Sequence, residues 1–360
     1  TSLINYGSVL FSDGIIEVIG GTFDNDGMDL SLNGAEANDM PLFRLKDGAT
    51  SNGLTDNFAV GTTHRAVLEI LSDAQLTSDG GSAGVHFGGH GDVTIDGNDS
   101  LWDVGSNAFT AANAGVAHVN IGNGGELRSD GGFIAKQTGS VATVTISGVG
   151  SFWVSALNIN IGGDAITSGG NGTLMFADGG GALAPQVTVF ADGTLGGNGT
   201  ASGHVLSGGT VSPGTSPGHL IVGADYTQTS DGTLVIELGG DNAGVDFDLL
   251  EVGGDALLDG TLTVLLIDEF SPEAGDTFRF LVAAGVGGEF AVEDLPDFGG
   301  LTLDVVYGAD YVELGVIATA VPLPAGAWLL SSAFAVLLLR NKRERSGKRS
   351  IQGTEVGRVG

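Results

Sequence analysis

Two phrases of this sequence return at the same distance of 51 residues. Leu-Thr-Ser-Asp-Gly-Gly at 76–81 returns as Leu-Arg-Ser-Asp-Gly-Gly at 127–132, and a looser third copy stands at 174–180. Val-Thr-Ile-Asp-Gly followed by Ser-Leu-Trp at 93–102 returns as Val-Thr-Ile-Ser-Gly followed by Ser-Phe-Trp at 144–153. Two separate phrases that share one period indicate an architecture of stacked repeats.

The segments between the turns are short and rich in β-branched residues. Many of them alternate apolar and polar residues, which is typical of a strand with one face inward. The chain holds 64 glycines in 360 residues, without the every-third spacing of collagen. We therefore predict an all-β fold, a parallel β-helix (solenoid), in which each 51-residue unit supplies two or more coils. The strand-like runs include 66–71, 93–95, 116–121, 144–146, 157–161 and 187–190.

A stacked solenoid assigns roles to the residues that recur. Ile, Val and Leu are expected to point inward and form ladders, while Gly and Asp-Gly pairs supply left-handed backbone angles at the corners. Trp102 and Trp153 are predicted to pack against neighbouring coils; the alternative is an exposed platform on which sugars stack. Asp79, Asp130 and Asp178 are predicted to be turn residues that bond their own backbone.

The C-terminal part of the chain has the composition of a membrane-sorting segment. Residues 316–339 carry no charged side chain, and a basic cluster follows at 340–345. A helix over 323–339 approaches the ~20 residues that cross a bilayer at ~1.5 Å per residue. A proline-containing motif at 321–326 suits the first turn of that helix. Because basic residues stay on the cytoplasmic side, residues 1–320 are predicted to lie on the other side.

This tail resembles the sorting signal of the PEP-CTERM family of exported bacterial proteins. The resemblance rests on a short motif, an apolar helix and a basic end, in that order. It implies an exosortase-type processing enzyme as partner, transient anchoring in the inner membrane, and release to the cell surface or the extracellular matrix. The motif residues are Val321, Pro322, Leu323, Pro324 and Ala325, and the membrane stop comprises Arg340, Lys342, Arg343 and Arg345.

The repeats carry resemblances of their own. Residues 93–180 resemble the Gly-rich repeat with a Ser-x-Trp core that is often found in PEP-CTERM proteins. Residues 194–218, with Gly-Gly-Asn-Gly and Ser-Pro-Gly phrases, look like autotransporter passenger domains, and the runs that follow are similar to the closing section of such proteins. The resemblance implies a right-handed parallel β-helix.

Composition along the chain predicts three parts and a tail. Residues 1–65 are predicted to be an irregular first section or cap of the solenoid, and residues 66–218 its regular repeats. Residues 219–317 are predicted to form a terminal β-sheet section that covers the open end of the stack, because exposed strand edges invite aggregation. Residues 318–345 form the sorting signal, and residues 346–360 a polar tail.

Charge is distributed very unevenly. The chain has 43 Asp plus Glu and 13 Lys plus Arg, and seven of those basic residues lie in 340–360. Residues 1–339 therefore hold 6 basic and 41 acidic residues. Such a body repels nucleic acid and attracts hard cations such as Ca²⁺. The chain has no cysteine, which excludes disulfides and thiolate chemistry.

Few residues indicate a metal site. His86 and His90 stand four apart without a helix to bring them together, so we do not predict that they bind zinc. The best ligand pattern is acidic: Asp24, Asp26 and Asp29 surround a glycine turn, as in the first half of a Ca²⁺ loop, and a solvated turn is the alternative. A similar but weaker pattern comprises Asp241, Asn242, Asp246 and Asp248.

We predict from these observations an exported structural or adhesive protein of the bacterial surface or biofilm matrix, with no catalytic residue and no required cofactor. Extracellular polysaccharide is a candidate partner. The alternative is a β-helix that binds or cleaves polysaccharide, and a further one is a protein whose anchor is never cut. Export also requires a leader, which we expect to have been removed or to lie outside this sequence.

Overall fold

A computed structural model describes residues 9–24, 29–36, 38–52 and 57–318. All of the regular secondary structure assigned in this part of the chain is β-strand. In chain order they are β1 (Val9–Phe11), β2 (Ile15–Asp24), β3 (Leu30–Leu32), β4 (Leu42–Asn52), β5 (Phe58–Val60), β6 (Arg65–Leu71), β7 (Gln75–Thr77), β8 (Gly81–Ala83), β9 (His90–Asp96), β10 (Leu101–Asp103), β11 (Ala108–Ala111), β12 (Val116–Gly122), β13 (Glu126–Ser129), β14 (Gly131–Ile134), β15 (Val141–Ser147), β16 (Phe152–Ser155), β17 (Ile159–Ile161), β18 (Asn171–Ala177), β19 (Gly181–Leu183), β20 (Gln186–Val189), β21 (Gly193–Gly197), β22 (Gly199–Ala201), β23 (His204–Ser207), β24 (Thr210–Pro213), β25 (His219–Val222), β26 (Tyr226–Gln228), β27 (Thr233–Leu238), β28 (Leu249–Val252), β29 (Asp255–Leu258), β30 (Thr261–Leu266), β31 (Thr277–Val282), β32 (Gly285–Gly288), β33 (Val292–Asp294), β34 (Leu301–Tyr307) and β35 (Tyr311–Ala318).

These strands wind into a parallel β-solenoid of about ten turns, so the predicted fold class is confirmed for the body of the chain. A regular coil has three strands, and each pairs in parallel with its equivalent in the next coil. Ladder A runs β2-β4-β6-β9-β12-β15-β18-β21-β24-β27-β30-β33, and ladder B runs β7-β10-β13-β16-β19-β22-β25-β28-β31. Ladder C is a separate 12-stranded sheet from β1 to β32.

The repeat period of the sequence corresponds to two coils. In ladder B, Trp102 of β10 pairs with Leu127 of β13, and Leu127 pairs with Trp153 of β16. Each of these pairings is one step along the stack, so the two repeat tryptophans lie two coils apart on the same ladder. The expectation that each unit supplies two or more coils is therefore confirmed.

The strands alternate as the sequence predicted. Along β6, β9 and β15 every second side chain is buried. Buried apolar side chains of all the coils, from Leu30 to Val316, form one continuous core. Parallel pairing in register places like residues on top of one another, as with Val93, Val119 and Val144. Each coil therefore buries its inner face only against its neighbours, as in other stacked repeats.

Glycine turns the chain at equivalent corners. Gly97 and Gly148 follow β9 and β15 and have φ angles of +104° and +92°. A side chain is strained in this left-handed region, whereas glycine adopts it at little cost. The corner glycines of the repeated phrase are thus required by backbone geometry, as the sequence predicted.

The parallel ladders continue across residue 218, where we predicted a boundary. β24 ends at Pro213 and pairs with β27, while β25 begins at His219 and pairs with β28. Pro213 and Pro217 therefore lie at a corner between two ladders, where a missing N–H does not interrupt pairing. The described residues up to Ile317 form one compact unit, and parallel coils extend to β33.

An antiparallel pair of strands appears near the end of the described chain. β35 pairs antiparallel with β31, with Phe278 opposite Leu314, and both side chains are buried. Arg279 lies over the ring of Tyr311 at 3.8 Å and binds Glu313 at 3.3 Å. This part of the predicted terminal section thus differs from the coils that precede it.

Candidate functional site

The two repeat tryptophans do not belong to an outer surface. Trp102 and Trp153 are fully buried. Their indole nitrogens donate hydrogen bonds to Ser78 Oγ at 3.0 Å and to Ser129 Oγ at 2.9 Å. The alternative of a sugar-stacking platform at these residues is therefore wrong, because no ring face is accessible to a ligand. The prediction that they pack against neighbouring coils is confirmed.

Two of the three turn aspartates bond through their carboxylates to neighbouring coils instead of to their own backbone. Asp79 Oδ1 accepts a hydrogen bond from the Asn107 side chain at 2.7 Å. Asp178 has a left-handed φ of +51°, and its Oδ2 lies 3.3 Å from Ser147 Oγ. The Asp130 backbone N–H donates to the carbonyl of Asn107 at 2.9 Å. They are turn residues, as predicted, but the carboxylates of Asp79 and Asp178 connect coils.

Ladder A carries a row of threonines on its outward face. Each side chain is partly exposed, and each residue pairs in register with the next. Threonine suits this position because its branched side chain packs on the pleated surface and its hydroxyl remains hydrated. We call this set the threonine row: Thr143, Thr173, Thr194, Thr210, Thr233 and Thr261.

Before Thr143, the same outward row has different chemistry. Asp92 lies on β9 and pairs with His118 on β12, and His118 pairs with Thr143. His90 precedes Asp92 by two residues, so both side chains lie on the outer face of β9. Together these three residues form the His-Asp-His cluster: His90, Asp92 and His118.

The cluster is tightly spaced. Asp92 Oδ1 lies 3.1 Å from His90 Nε2 and 3.2 Å from His118 Nδ1. The two imidazole nitrogens are 3.3 Å apart, and the rings meet edge to face with centroids at 5.0 Å. The side chain of His118 is about half exposed, so the cluster opens to solvent. Among the described residues, this is the group of three or more His, Cys, Asp or Glu side chains that could hold a metal ion.

Arg65 fixes the second oxygen of the carboxylate. Its Nε donates to Asp92 Oδ2 at 2.8 Å. Burial alone would raise the pKa of Asp92, but the Arg65 hydrogen bond and the charge of His90 outweigh it and hold that pKa below its ordinary value. Asp92 is therefore a carboxylate at neutral pH, with Oδ1 directed at both imidazoles.

Sequence reasoning considered His90 only together with His86 and predicted no zinc site there; the structure gives His90 other partners. His86 is exposed in the loop before β9 and is not part of the cluster. The true neighbours are Asp92, two positions along the same strand, and His118 on the next coil. The sequence offers one signal for them: half of the repeat period is the length of one coil, which places position 118 opposite position 92.

The proposed Ca²⁺ ligands fall partly outside the described residues. Asp24 ends β2 and Asp29 precedes β3, but Asp26 lies in a segment that the structure does not describe. The Ca²⁺ site therefore stays a prediction.

The weaker acidic pattern near residue 245 forms a structural corner instead. Asp246 Oδ2 accepts the backbone N–H of Asn242 at 3.1 Å. Asp248 is fully buried, and its two oxygens accept the backbone N–H groups of Gly218 at 2.8 Å and Glu237 at 2.9 Å. Burial raises the pKa of Asp248 to about 7, although these hydrogen bonds oppose the shift. Asp248 therefore joins the corner before β25 to β27.

A polar groove crosses the corners between ladders A and B. Its volume is about 830 Å³. Arg128 binds Glu126 through two hydrogen bonds of 2.7 and 2.9 Å at its wall. We call the polar groove the concavity lined by Asp73, Gln75, Asn98, Asp99, Ser100, Leu101, Gly124, Glu126, Arg128 and Gly150.

No protein-family model and no curated protein matches this chain significantly. The sorting motif at 321–325, the apolar segment 323–339 and the basic residues at 340–345 lie outside the described residues. Within the described ranges, the structure contains no helix of the length and apolarity needed to cross a bilayer. The PEP-CTERM resemblance and the membrane anchor remain predictions.

Proposed function

We propose that this protein is an exported structural or adhesive component of a bacterial surface or extracellular matrix. Its solenoid would act as a stiff acidic rod that works through shape and surface chemistry. The observation that carries this proposal is the threonine row, which repeats one small polar group coil after coil from Thr143 to Thr261. A periodic surface of this kind suits repeated weak contacts with a polymer or another cell better than recognition of a single small molecule.

The rod form has a physical basis in the core. Parallel ladders connect each coil to the next through backbone hydrogen bonds, and the buried side chains form one cluster. Such an arrangement leaves few exposed loops for proteases to cut. We further propose that β34 and β35 end the stack, since an antiparallel strand covers the edge of β31 that would otherwise pair with another chain.

Sorting is the second part of the proposal. The motif at 321–325 would be the cleavage region of an exosortase-type enzyme, the segment 323–339 the temporary anchor in the inner membrane, and the basic residues at 340–345 the cytoplasmic stop. The net negative body is compatible with release into a hydrated matrix, because its charge keeps it soluble.

Fractionation of cells with and without the exosortase-type enzyme tests this function. The wild-type chain should reach the cell surface or medium, and mass analysis should find a C-terminus near the motif. Without the enzyme, the uncut chain should stay in the inner membrane. A chain that ends at Ala318 is the matched control and should not associate with membranes. A cytosolic full-length protein in both strains would overturn the proposal.

A second candidate function is supported by the polar groove, whose walls carry acids and amides that could bind sugar hydroxyls. Glu126→Gln together with Arg128→Gln would remove the charged pair while keeping similar volumes. If the groove binds polysaccharide, this double variant should lose retention on a polysaccharide affinity gel by roughly tenfold or more. This function of the groove would be excluded if the double variant were retained as strongly as the wild type, or if the wild-type protein were not retained at all.

A further inference from the structure

Three potential metal ligands converge on the outer face of ladder A, directly before the threonine row. We propose that the His-Asp-His cluster binds one divalent transition-metal ion of the Zn²⁺ type. The ligands would be His90 Nε2, His118 Nδ1 and Asp92 Oδ1.

The spacing of the three atoms fits such an ion. Zn²⁺ binds nitrogen and oxygen at ~2.0–2.1 Å in a tetrahedron, which places neighbouring ligand atoms ~3.3 Å apart. The three distances between His90 Nε2, His118 Nδ1 and Asp92 Oδ1 are 3.1, 3.2 and 3.3 Å. An ion therefore requires only small side-chain adjustments, and the half-exposed His118 leaves a solvent side where water completes the tetrahedron.

The site is built on rigid elements. All three ligands project from β9 and β12, which pair over seven consecutive positions. The residues next to the ligands on these strands are buried and hold the strands in place: Gly91, Val93, Ala117 and Val119. Ligands on paired strands keep their geometry better than ligands on loops.

Arg65 has the position of an outer-shell partner. It binds Asp92 Oδ2 and leaves Oδ1 directed at the imidazoles. Outer-shell hydrogen bonds of this kind orient metal-binding carboxylates in known sites. The positive charge of Arg65 opposes a second cation, but the acidic body around it, with 41 acids against 6 basic residues in 1–339, favours cations overall.

The donor set selects the class of metal. Two imidazoles and one carboxylate suit Zn²⁺, Ni²⁺ and Cu²⁺, whereas Ca²⁺ and Mg²⁺ prefer oxygen ligands throughout. This difference separates the site from non-specific binding at the many surface carboxylates, which Ca²⁺ can occupy.

Calorimetric titration of the untagged full chain with Zn²⁺, in excess Ca²⁺ to occupy carboxylates, tests the proposal. The wild-type protein should bind one equivalent. His90→Ala or His118→Ala should weaken binding by roughly 100-fold or more, since even outer-shell partners are worth ~10–100-fold. His204→Ala is the matched control. His204 pairs with Asp225 at 3.3 Å elsewhere on the solenoid, so its replacement should leave the zinc affinity unchanged.

X-ray absorption of the zinc-loaded protein gives a second readout that does not depend on the variants. The spectrum should show about two imidazole nitrogens and additional oxygen ligands. Circular dichroism should show that His90→Ala and His118→Ala keep the wild-type β-spectrum, because both side chains face outward. Oxygen-only coordination, no zinc binding, or equal zinc affinity of the wild type and of His90→Ala or His118→Ala would each overturn the proposal.

Discussion

The Trp153 indole N–H donates a hydrogen bond of 2.9 Å to the hydroxyl of Ser129, one coil earlier in the solenoid. Trp102 makes the same bond to Ser78. The two repeated phrases of the sequence are therefore two halves of one structural unit. The Ser-Asp-Gly-Gly phrase of one coil supplies the hydrogen-bond acceptor and the space into which the tryptophan of the next coil fits.

Ser129→Ala should destabilise the solenoid by ~1–3 kcal/mol, because it leaves the buried Trp153 N–H without an acceptor. The measurement is chemical denaturation followed by tryptophan fluorescence. Ser155→Ala is the matched control, since Ser155 pairs with Ser129 in register and its buried hydroxyl has no hydrogen-bond partner among the described residues. Equal losses in both variants would show that the bond to Trp153 does not stabilise the fold.

Gly132→Ala should be destabilising, whereas Gly131→Ala should be nearly neutral. A Cβ on Gly132 would lie 2.5 Å from Trp153 Cζ2, while one on Gly131 would meet nothing closer than 3.6 Å. Overpacking of this kind costs ~1–3 kcal/mol. Thermal unfolding of the two variants checks the difference. Similar melting temperatures would mean that the Trp153 indole can move to make room for the methyl group without loss of stability.

The buried Asp248 should make stability depend on pH. Its pKa is about 7 in the folded protein and ~3.9 in an unfolded chain, so the folded state binds the proton more tightly. Its stabilising contribution is therefore full below about pH 4 and is lost as pH rises to about 7, at up to ~1.4 kcal/mol per pH unit.

Comparison with Asp248→Asn isolates this effect. The wild-type advantage in free energy of unfolding should shrink by a few kcal/mol from about pH 4 to about pH 7 and then stay constant. Asp241→Asn, in the exposed part of the same loop, controls for the loss of one negative charge. A wild-type advantage that does not change over this range would contradict the assignment.

Removal of residues 319–360 should leave the solenoid intact. The described residues up to Ile317 form one compact unit, and their buried core ends at Val316. The shortened chain should therefore show the β-rich circular dichroism of the full chain. Its melting temperature should agree with that of the full chain within about 2 °C, which corresponds to a change in stability of roughly 1 kcal/mol in a chain of this size. A large loss of stability would show that the C-terminal segment supports the fold.

The sequence predicts the fold well because a β-solenoid depends on local patterns. Alternation of apolar and polar residues determines which side of a strand is buried, and Gly97 and Gly148 mark corners that need positive φ. Two phrases at one period were enough to predict stacking. The burial of both tryptophans was also the favoured expectation.

The candidate site was harder to predict, because it depends on register between coils. The steps along ladder A are unequal: Val116 pairs with Val141, and Val141 pairs with Asn171, so the second of these coils is the longer one. Coil lengths vary with the size of the corner loops, so half of the repeat period gives only the average length of a coil. A shift of one position would turn a side chain to the other face of the sheet. Sequence reasoning therefore considered His90 only with His86, predicted no metal site there, and missed Asp92 and His118.

By itself, the sequence determined that apolar and polar residues alternate along the strands, that the chain turns at glycines and that its coils stack on one another. These properties follow from backbone sterics and from burial of apolar surface within a few residues. Only the tertiary structure decided which outward side chains meet across coils. Asp92 and His118 belong to consecutive coils and are distant in the chain, and their contact exists because the corner lengths between β9 and β12 bring these two positions into register.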